Sequence, residues 1–281
     1  MSRPPLHARL AAVFASAAAL AGCGLGDRGV DRALPRSVEQ PTFLSVTNDS
    51  QGPLVIGSAT EVVVTEDAGR SYRSPVPRAS DARAIGYTRR QALISRGPTV
   101  QVMDLGLRER RGPVVAWPFG ETVVALASAP QQQRLWAVGL SGDGVRLWYS
   151  NDEARRWRRL PAVGLCKRPR ALAAAAQEDG GARLYAACGP GGLLLSTNLG
   201  AVWRRLPGVA FAGDVATTMV DPALVVIANS LVAISRDGGL TWAERPVTAA
   251  RVAVSPRNGS LVFAVAENGR LFASVDGGKT F

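Results

Sequence analysis

Histidine is all but missing from this 281-residue chain: the one copy, His7, lies in an N-terminal stretch whose pattern marks it for removal. A body without imidazole excludes Ser-His-Asp and Cys-His catalysis, His-ligated zinc and a histidine pH switch. Lysine is nearly as scarce, with 2 copies against 31 arginines, so guanidinium groups carry the formal charge of +11. That excess suits an acidic partner (nucleic acid, anionic lipid or an acidic protein segment), or it reflects a composition in which Arg and Ala rise together. No Lys-rich run or basic helix occurs, which argues against nucleic acid. Sustained helical periodicity is also lacking, and that excludes a helical bundle. Only three cysteines are present, and no metal or cofactor site is expected from them. Hydrophobic residues do reach 47%, enough for a sizeable core and incompatible with global disorder.

The first 30 residues read as an address. Arg3 and Arg9 give a basic start, and Leu10–Leu20 is an apolar run too short to span a bilayer but suited to a signal peptide. It ends in Leu20-Ala21-Gly22-Cys23, which resembles the bacterial lipobox. The resemblance implies cleavage after Gly22, diacylglycerol on Cys23, and a folded part held outside the cytoplasm by acyl chains in a membrane. The expected division is 1–22 signal peptide, 23–29 lipidated tether and 30–281 folded domain. An oxidising compartment permits disulfides. Cys166 precedes one expected strand (171–176) and Cys188 ends the next (183–188), so antiparallel pairing of the two would bring the thiols together; free buried thiols are the alternative.

One octapeptide keeps returning. Ser235-Arg236-Asp237-Gly238-Gly239-Leu240-Thr241-Trp242 recurs 39 residues later as Ser274–Phe281 and 39 earlier as Ser196–Trp203, with further copies at Ser150–Trp157 and Thr65–Tyr72. Its frame is hydroxyl-x-Asp/Asn-x-Gly/Ala-x-x-aromatic, with Asp67, Asp152, Asn198, Asp237 and Asp276 in the third place and Trp157, Trp203 and Trp242 among the closing aromatics. A copy expected at Val102 keeps only Asp104 and Gly106; it is degenerate or lies elsewhere. A unit of about 40 residues indicates a repeat architecture. Between boxes run three short apolar stretches bounded by Gly, Asn, Asp and Pro, and after most boxes a fourth follows, as in Trp157-Arg158-Arg159-Leu160-Pro161. Four antiparallel strands per repeat make the blade of a β-propeller. The Asp or Asn is expected to cap backbone N–H groups in the turn between the third and fourth strands, which makes it a staple rather than a catalyst.

The chain stops where the sixth blade still needs its outer strand. Asp31-Arg32-Ala33-Leu34-Pro35 reads like that strand, so residues 30–35 are expected to close a six-bladed all-β ring. The alternative is a truncated seven-bladed propeller.

The box resembles the Asp-box, or BNR repeat, of sialidases, sortilin-type receptors and photosystem II assembly factors. The Trp-x-x-Leu-Pro pattern and the Ala-rich second strands look most like the photosystem II stability/assembly factor family, whose secreted propellers hold client polypeptides. The resemblance implies a non-catalytic, monomeric scaffold for an envelope or membrane protein, without cofactor or nucleic acid. Binding in propellers collects on the face opposite the box turns. Arg36, Arg78, Arg83, Arg96, Lys167, Arg168, Arg170, Arg251 and Arg270 fall there, with Asp81, Glu121, Asp143, Asp214 and Glu267. A sialidase would need three arginines, a Tyr–Glu pair and an Arg-Ile-Pro motif; the motif is absent, and no carboxylate neighbours Tyr87 or Tyr185 in the chain. Another propeller glycosidase would need two carboxylates about 5–10 Å apart. A cell-surface carbohydrate binder is the third reading, with Trp117 the expected exposed aromatic and Trp136 and Trp148 expected in the core.

Overall fold

A computed structural model describes residues 30–281 except 36, 37, 39, 48–52, 68, 77–80, 106, 108–113 and 178. Six four-stranded antiparallel sheets follow one another round a central channel. Blade 1 is β2 (Phe43–Val46), β3 (Leu54–Gly57), β4 (Val62–Thr65) and β5 (Arg73–Val76), counted after an N-terminal β1 (Val30–Ala33). Blade 2 is β6 (Ala82–Tyr87), β7 (Gln91–Arg96), β8 (Thr99–Asp104) and β9 (Val114–Ala116). Blade 3 is β10 (Thr122–Ala129), β11 (Arg134–Ser141), β12 (Gly144–Ser150) and β13 (Arg158–Leu160). Blade 4 is β14 (Ala171–Ala176), β15 (Ala182–Ala187), β16 (Leu193–Ser196) and β17 (Arg204–Arg205). Blade 5 is β18 (Asp214–Thr217), β19 (Val225–Ala228), β20 (Ser230–Ser235) and β21 (Ala243–Ala249). Blade 6 is β22 (Arg251–Ser255), β23 (Asn258–Val265) and β24 (Arg270–Ser274), completed by β1.

The clasp is the expected one. β1 pairs antiparallel with β24, from Val30 opposite Ala273 to Ala33 opposite Arg270, so both ends of the folded chain share one sheet. Leu34 extends the pairing by donating its N–H to Gly269 O at 2.7 Å. Such closure leaves no first or last blade with an open inner edge. Apolar residues alternate or run continuously through the inner three strands, and they meet the neighbouring blade rather than a single centre. Val55, Val62 and Ile94, for instance, pack between blades 1 and 2, each at most 2% exposed. Each buried Val or Leu contributes about 1.5–3 kcal/mol, and a ring of such seams carries the fold.

The box turns explain how each blade ends. In blade 5 the Ser235 hydroxyl donates to Asp237 Oδ1 at 2.7 Å and accepts the Gly239 N–H at 2.7 Å, while Asp237 Oδ1 also accepts the N–H groups of Leu240 and Thr241, both at 2.9 Å. Thr65–Asp67, Ser150–Asp152, Ser196–Asn198 and Ser274–Asp276 repeat the hydroxyl–carboxylate (or amide) bond at 2.7–2.8 Å. The fourth and fifth places take positive φ: Gly238 and Gly239 at 77° and 95°, but Glu153 and Ala154 at 59° and 68°, where side chains pay for the left-handed backbone. The fourth-place carbonyl also latches blades together. It accepts Trp136 Nε1 at Leu199 (3.0 Å), Tyr185 Oη at Gly238 (3.4 Å) and an Arg236 Nη at Gly277 (2.8 Å), each from the preceding blade.

Blade 2 corrects the expected register. β8 runs through Asp104, so Val102 and Met103 are strand residues and Asp104 occupies the place of the box hydroxyl. Leu107 then falls at the fourth place, and it has the matching features: φ of 52° and a carbonyl that accepts a guanidinium N–H from Arg73 of blade 1. The latch persists where the Asp-containing frame is gone.

Candidate functional site

The first strand of every blade lines the channel, enclosing about 150 Å³. Its wall is mostly small and apolar: Ala125 and Ala127 from β10, Ala173 from β14, Val215 from β18, and Ala253 from β22. Antiparallel order sends the box turns to one end of the ring. The loops entering each first strand, and those joining second to third strands, go to the other end, which is the mouth face.

At the mouth, alternate blades contribute cations. Arg83 sits second in β6, Arg170 immediately precedes β14, and Arg251 opens β22. Arg83 and Arg170 line the channel. Arg251 donates from Nε to Thr42 O at 2.7 Å and from Nη1 to Ala250 O at 2.8 Å, tying blade 6 to blade 1. Arg170 lies over the Phe211 ring, 5.5 Å from its centroid, and Arg83 is held by Asp81 at 2.6 Å.

Asp214 is the single carboxylate among the described residues that line the channel. It opens β18 and is 6% exposed. Oδ1 accepts the Val215 N–H at 2.9 Å and Oδ2 accepts the Val252 N–H of the next blade at 3.0 Å. Burial pushes its pKa up to about 6, against the opposing pull of Arg251 and those two N–H groups. The carboxyl therefore changes charge just below neutral pH at the rim of the channel.

Glu121, also nominated from the sequence, turns away from the channel. It is 1% exposed, and three donors hold it: Arg146 Nη1 at 2.9 Å on Oε1, with Trp117 Nε1 at 3.0 Å and Trp148 Nε1 at 3.1 Å on Oε2. Phe119 stacks on Trp148 at 3.6 Å and 4° between planes, and Trp117 meets Trp157 edge-on. The expectation that Trp117 is exposed is therefore wrong: it is 6% exposed, because Glu121 draws its indole into the seam between blades 2 and 3. Trp136 is fully buried and Trp148 partly so, as expected of core residues. Nothing in the sequence signalled this cluster, since Glu121 lies 25 and 27 residues from Arg146 and Trp148.

Arg96 ends β7 and reaches Gln101 Oε1 at 3.3 Å, and Arg270 opens β24 above the Phe272 ring. Lys167 and Arg168 are exposed in the loop entering β14. Cys166 and Cys188 form a disulfide that pins this loop to the second-to-third-strand loop of blade 4, with Cα atoms 6.2 Å apart. Cys23, Arg36 and Arg78 lie outside the described residues. Tyr87 donates to Ser45 Oγ at 3.2 Å inside the channel wall and Tyr185 serves the blade latch, so neither phenol meets a carboxylate. Among the described residues no group of three acids or cysteines stands ready for a metal, and no helix is long and apolar enough to cross a membrane.

No family model matches the chain, and no curated protein matches its sequence. Solved structures do match in shape. YCF48 bound to D1 peptide is similar at a TM-score of 0.53 and 12% identity, covering 89% of this chain and 97% of that one. The Neurospora crassa Pan2 WD40 domain reaches 0.58 at 12% identity over 91% and 85%. The Niastella koreensis GH74 enzyme reaches 0.55 at 15% identity over 85% of this chain, which spans only 37% of the enzyme. At such identities the likeness establishes the architecture: the chain is a six-bladed β-propeller of the general form that binding proteins and glycoside hydrolases share.

Proposed function

We propose that this chain is a lipid-anchored protein of the bacterial envelope that acts as a non-catalytic scaffold, engaging a polypeptide partner at the mouth face. The observation that carries the reading is the mouth itself. Arg83 and Arg170 line the channel, and Arg251 acts on the one channel carboxylate, Asp214, whose two oxygens are already taken by backbone N–H groups, above a wall of small apolar side chains. Guanidinium forks on a rigid frame suit carboxylate-bearing ligands. The similarity in shape to YCF48, whose structure holds a D1 peptide, supports the same direction, as does the resemblance of the boxes to assembly-factor propellers. The anchor rests on the Leu20–Cys23 pattern and the apolar run before it.

A glycosidase reading asks for two carboxylates facing one another. Glu121 is committed to Arg146 and two indoles, and Asp81 to Arg83, which leaves Asp214 without an acidic counterpart among the described channel residues. The test is crosslinking of the intact lipoprotein in its native envelope, alongside assay of the purified protein on a glycan panel. Recovery of a defined polypeptide partner is the expected result. Glycan hydrolysis with no polypeptide recovered would overturn the scaffold reading.

A further inference from the structure

β1 fixes where the N-terminal segment leaves the ring. Val30 stands opposite Ala273, at the end of β24 that leads into the box turn Ser274–Phe281, whereas Ala33 stands opposite Arg270 at the mouth end. The chain therefore departs from blade 6 at the turn end. Cys23 lies seven residues before Val30, so even a fully extended connection reaches only about 25 Å. The eight residues of β10 give a blade about the same height, roughly 26 Å. A mouth turned toward the bilayer would need that connection drawn taut along the whole rim. Acyl chains on Cys23 would thus bring the turn end, and not the mouth, against the membrane.

Next to that departure point the turn end is apolar and balanced in charge. Leu240, in the box turn of blade 5, is 60% exposed, and Val220, in the loop between β18 and β19 of the same blade, is 58% exposed. The other large exposed hydrophobics among the described residues, Val114, Val115, Val163 and Val202, lie on the rims of blades 2 to 4. The turns of blades 5 and 6 form one surface. Gly238 donates its N–H to Ala223 O at 2.9 Å, Thr218 its hydroxyl to Ser255 O of blade 6 at 2.9 Å, and Arg236 a guanidinium N–H to Gly277 O at 2.8 Å. On this surface Arg236, Arg257 and Lys279 are matched in number by Asp221, Asp237 and Asp276. At the rim Glu244 is matched by Arg245 on β21, and Asp31 by Arg32 on β1. Exposed leucine and valine gain by leaving water, and the acyl boundary of a bilayer offers them that transfer.

We propose that the turn end of blades 5 and 6 is a membrane-facing surface, with Leu240 and Val220 entering the interfacial layer of the bilayer. The inference rests on the anchor in the proposed function and adds an orientation to it. Because the charges balance, the contact is made by apolar burial and not by attraction to anionic headgroups, so zwitterionic phospholipid suffices. The mouth, with Arg83 and Arg170, then opens away from the bilayer by about one blade height, roughly 25 Å. A polypeptide taken there is a segment standing clear of the membrane.

The experiment uses the full chain, acylated in a bacterial host and reconstituted into phosphatidylcholine vesicles. Benzoylphenylalanine stands in place of Leu240, of Val220, or of Arg168, an exposed residue of a mouth loop. Irradiation followed by mass spectrometry reads the lipid adducts. Positions 240 and 220 are expected to give about fivefold more adduct than position 168, or better. Adding phosphatidylglycerol is expected to change those yields by about twofold or less. With benzoylphenylalanine in place of Lys279, Leu240→Ser/Val220→Ser is expected to cut the adduct at 279 by about threefold or more, since hydroxyls resist the apolar layer. Equal yields at all three positions, an excess at 168, no adduct at 220 and 240, adducts that require phosphatidylglycerol, or an unchanged yield at 279 would each overturn the proposal. The mass of the N-terminal peptide separates the two failures. If Cys23 is acylated and any of those results is found, the orientation fails alone; an unmodified Cys23 removes the anchor, and the orientation with it.

Discussion

Asp237 and Asp214 belong to the same blade and stand at its opposite ends. Asp237 lies in the box turn, where the Thr241 hydroxyl and N–H and the Ser235 hydroxyl hold its carboxyl far below the usual range. Asp214 opens the first strand at the channel mouth, where burial outweighs Arg251 and two N–H groups and raises it to about 6. One side chain type thus serves as a permanently charged cap at one end and as a group able to change charge near neutrality at the other. The difference lies in burial and in hydroxyl donors. Each carboxylate accepts two backbone N–H groups, but the exposed Asp237 adds the Ser235 and Thr241 hydroxyls, whereas Asp214 is buried at the start of its strand.

The largest effect expected is at Glu121, which belongs to the mouth face yet behaves like a staple. Glu121→Ala strands two indole N–H groups and leaves the Arg146 guanidinium with Asp143 as its remaining partner, and should cost about 3 kcal/mol in a denaturant titration. A much smaller loss would mean that the aromatic seam does not depend on it.

Next is the pH profile. Asp214 binds a proton more tightly folded than unfolded, so its contribution to stability is full below about pH 4 and is lost as pH rises to about 6, by roughly 2–3 kcal/mol. The box carboxylates act in the opposite sense. Asp67, despite some burial, is brought to about 2 by the Ser71 and Thr65 donors and the Arg70 N–H, so the stability it supplies is present above pH 4 and disappears as pH falls toward 2. Thermal melts across pH should therefore peak near pH 4. Asp214→Asn should flatten the alkaline side of that peak and leave the acid side in place. An unchanged alkaline limb would show that Asp214 is solvated.

Ser235→Ala removes the hydroxyl that links Asp237 to the Gly239 N–H and should destabilise by about 1–2 kcal/mol at neutral pH. The smallest expected change is a gain. Ala154 holds φ at 68° where four other boxes have glycine, so Ala154→Gly should raise stability by about 0.5 kcal/mol, strain relief exceeding the added chain entropy.

The turn end of the molecule was far more legible in the sequence than the mouth end. Box spacing alone gives the blades, and Asp31–Pro35 gives the clasp, because a turn's chemistry is written in eight consecutive residues. Where that code decays, reading fails: in blade 2 the frame slid by two places, and only the Arg73–Leu107 latch reveals the true alignment. The mouth is assembled from residues tens of positions apart. Arg83, Arg170, Asp214 and Arg251 could be assigned to a face by counting strands, but the burial that shifts Asp214 and the indoles that hold Glu121 depend on neighbours that no local pattern names.

We propose that recognition of the polypeptide partner is confined to the mouth end, whereas the box turns serve folding and take no polypeptide. A photo-crosslinking residue placed at Arg83, on the mouth, or at Leu240, 60% exposed on a box turn, tests it in the living envelope. One defined polypeptide should be captured from position 83 and none from position 240. Capture from 240 with silence at 83 would contradict it.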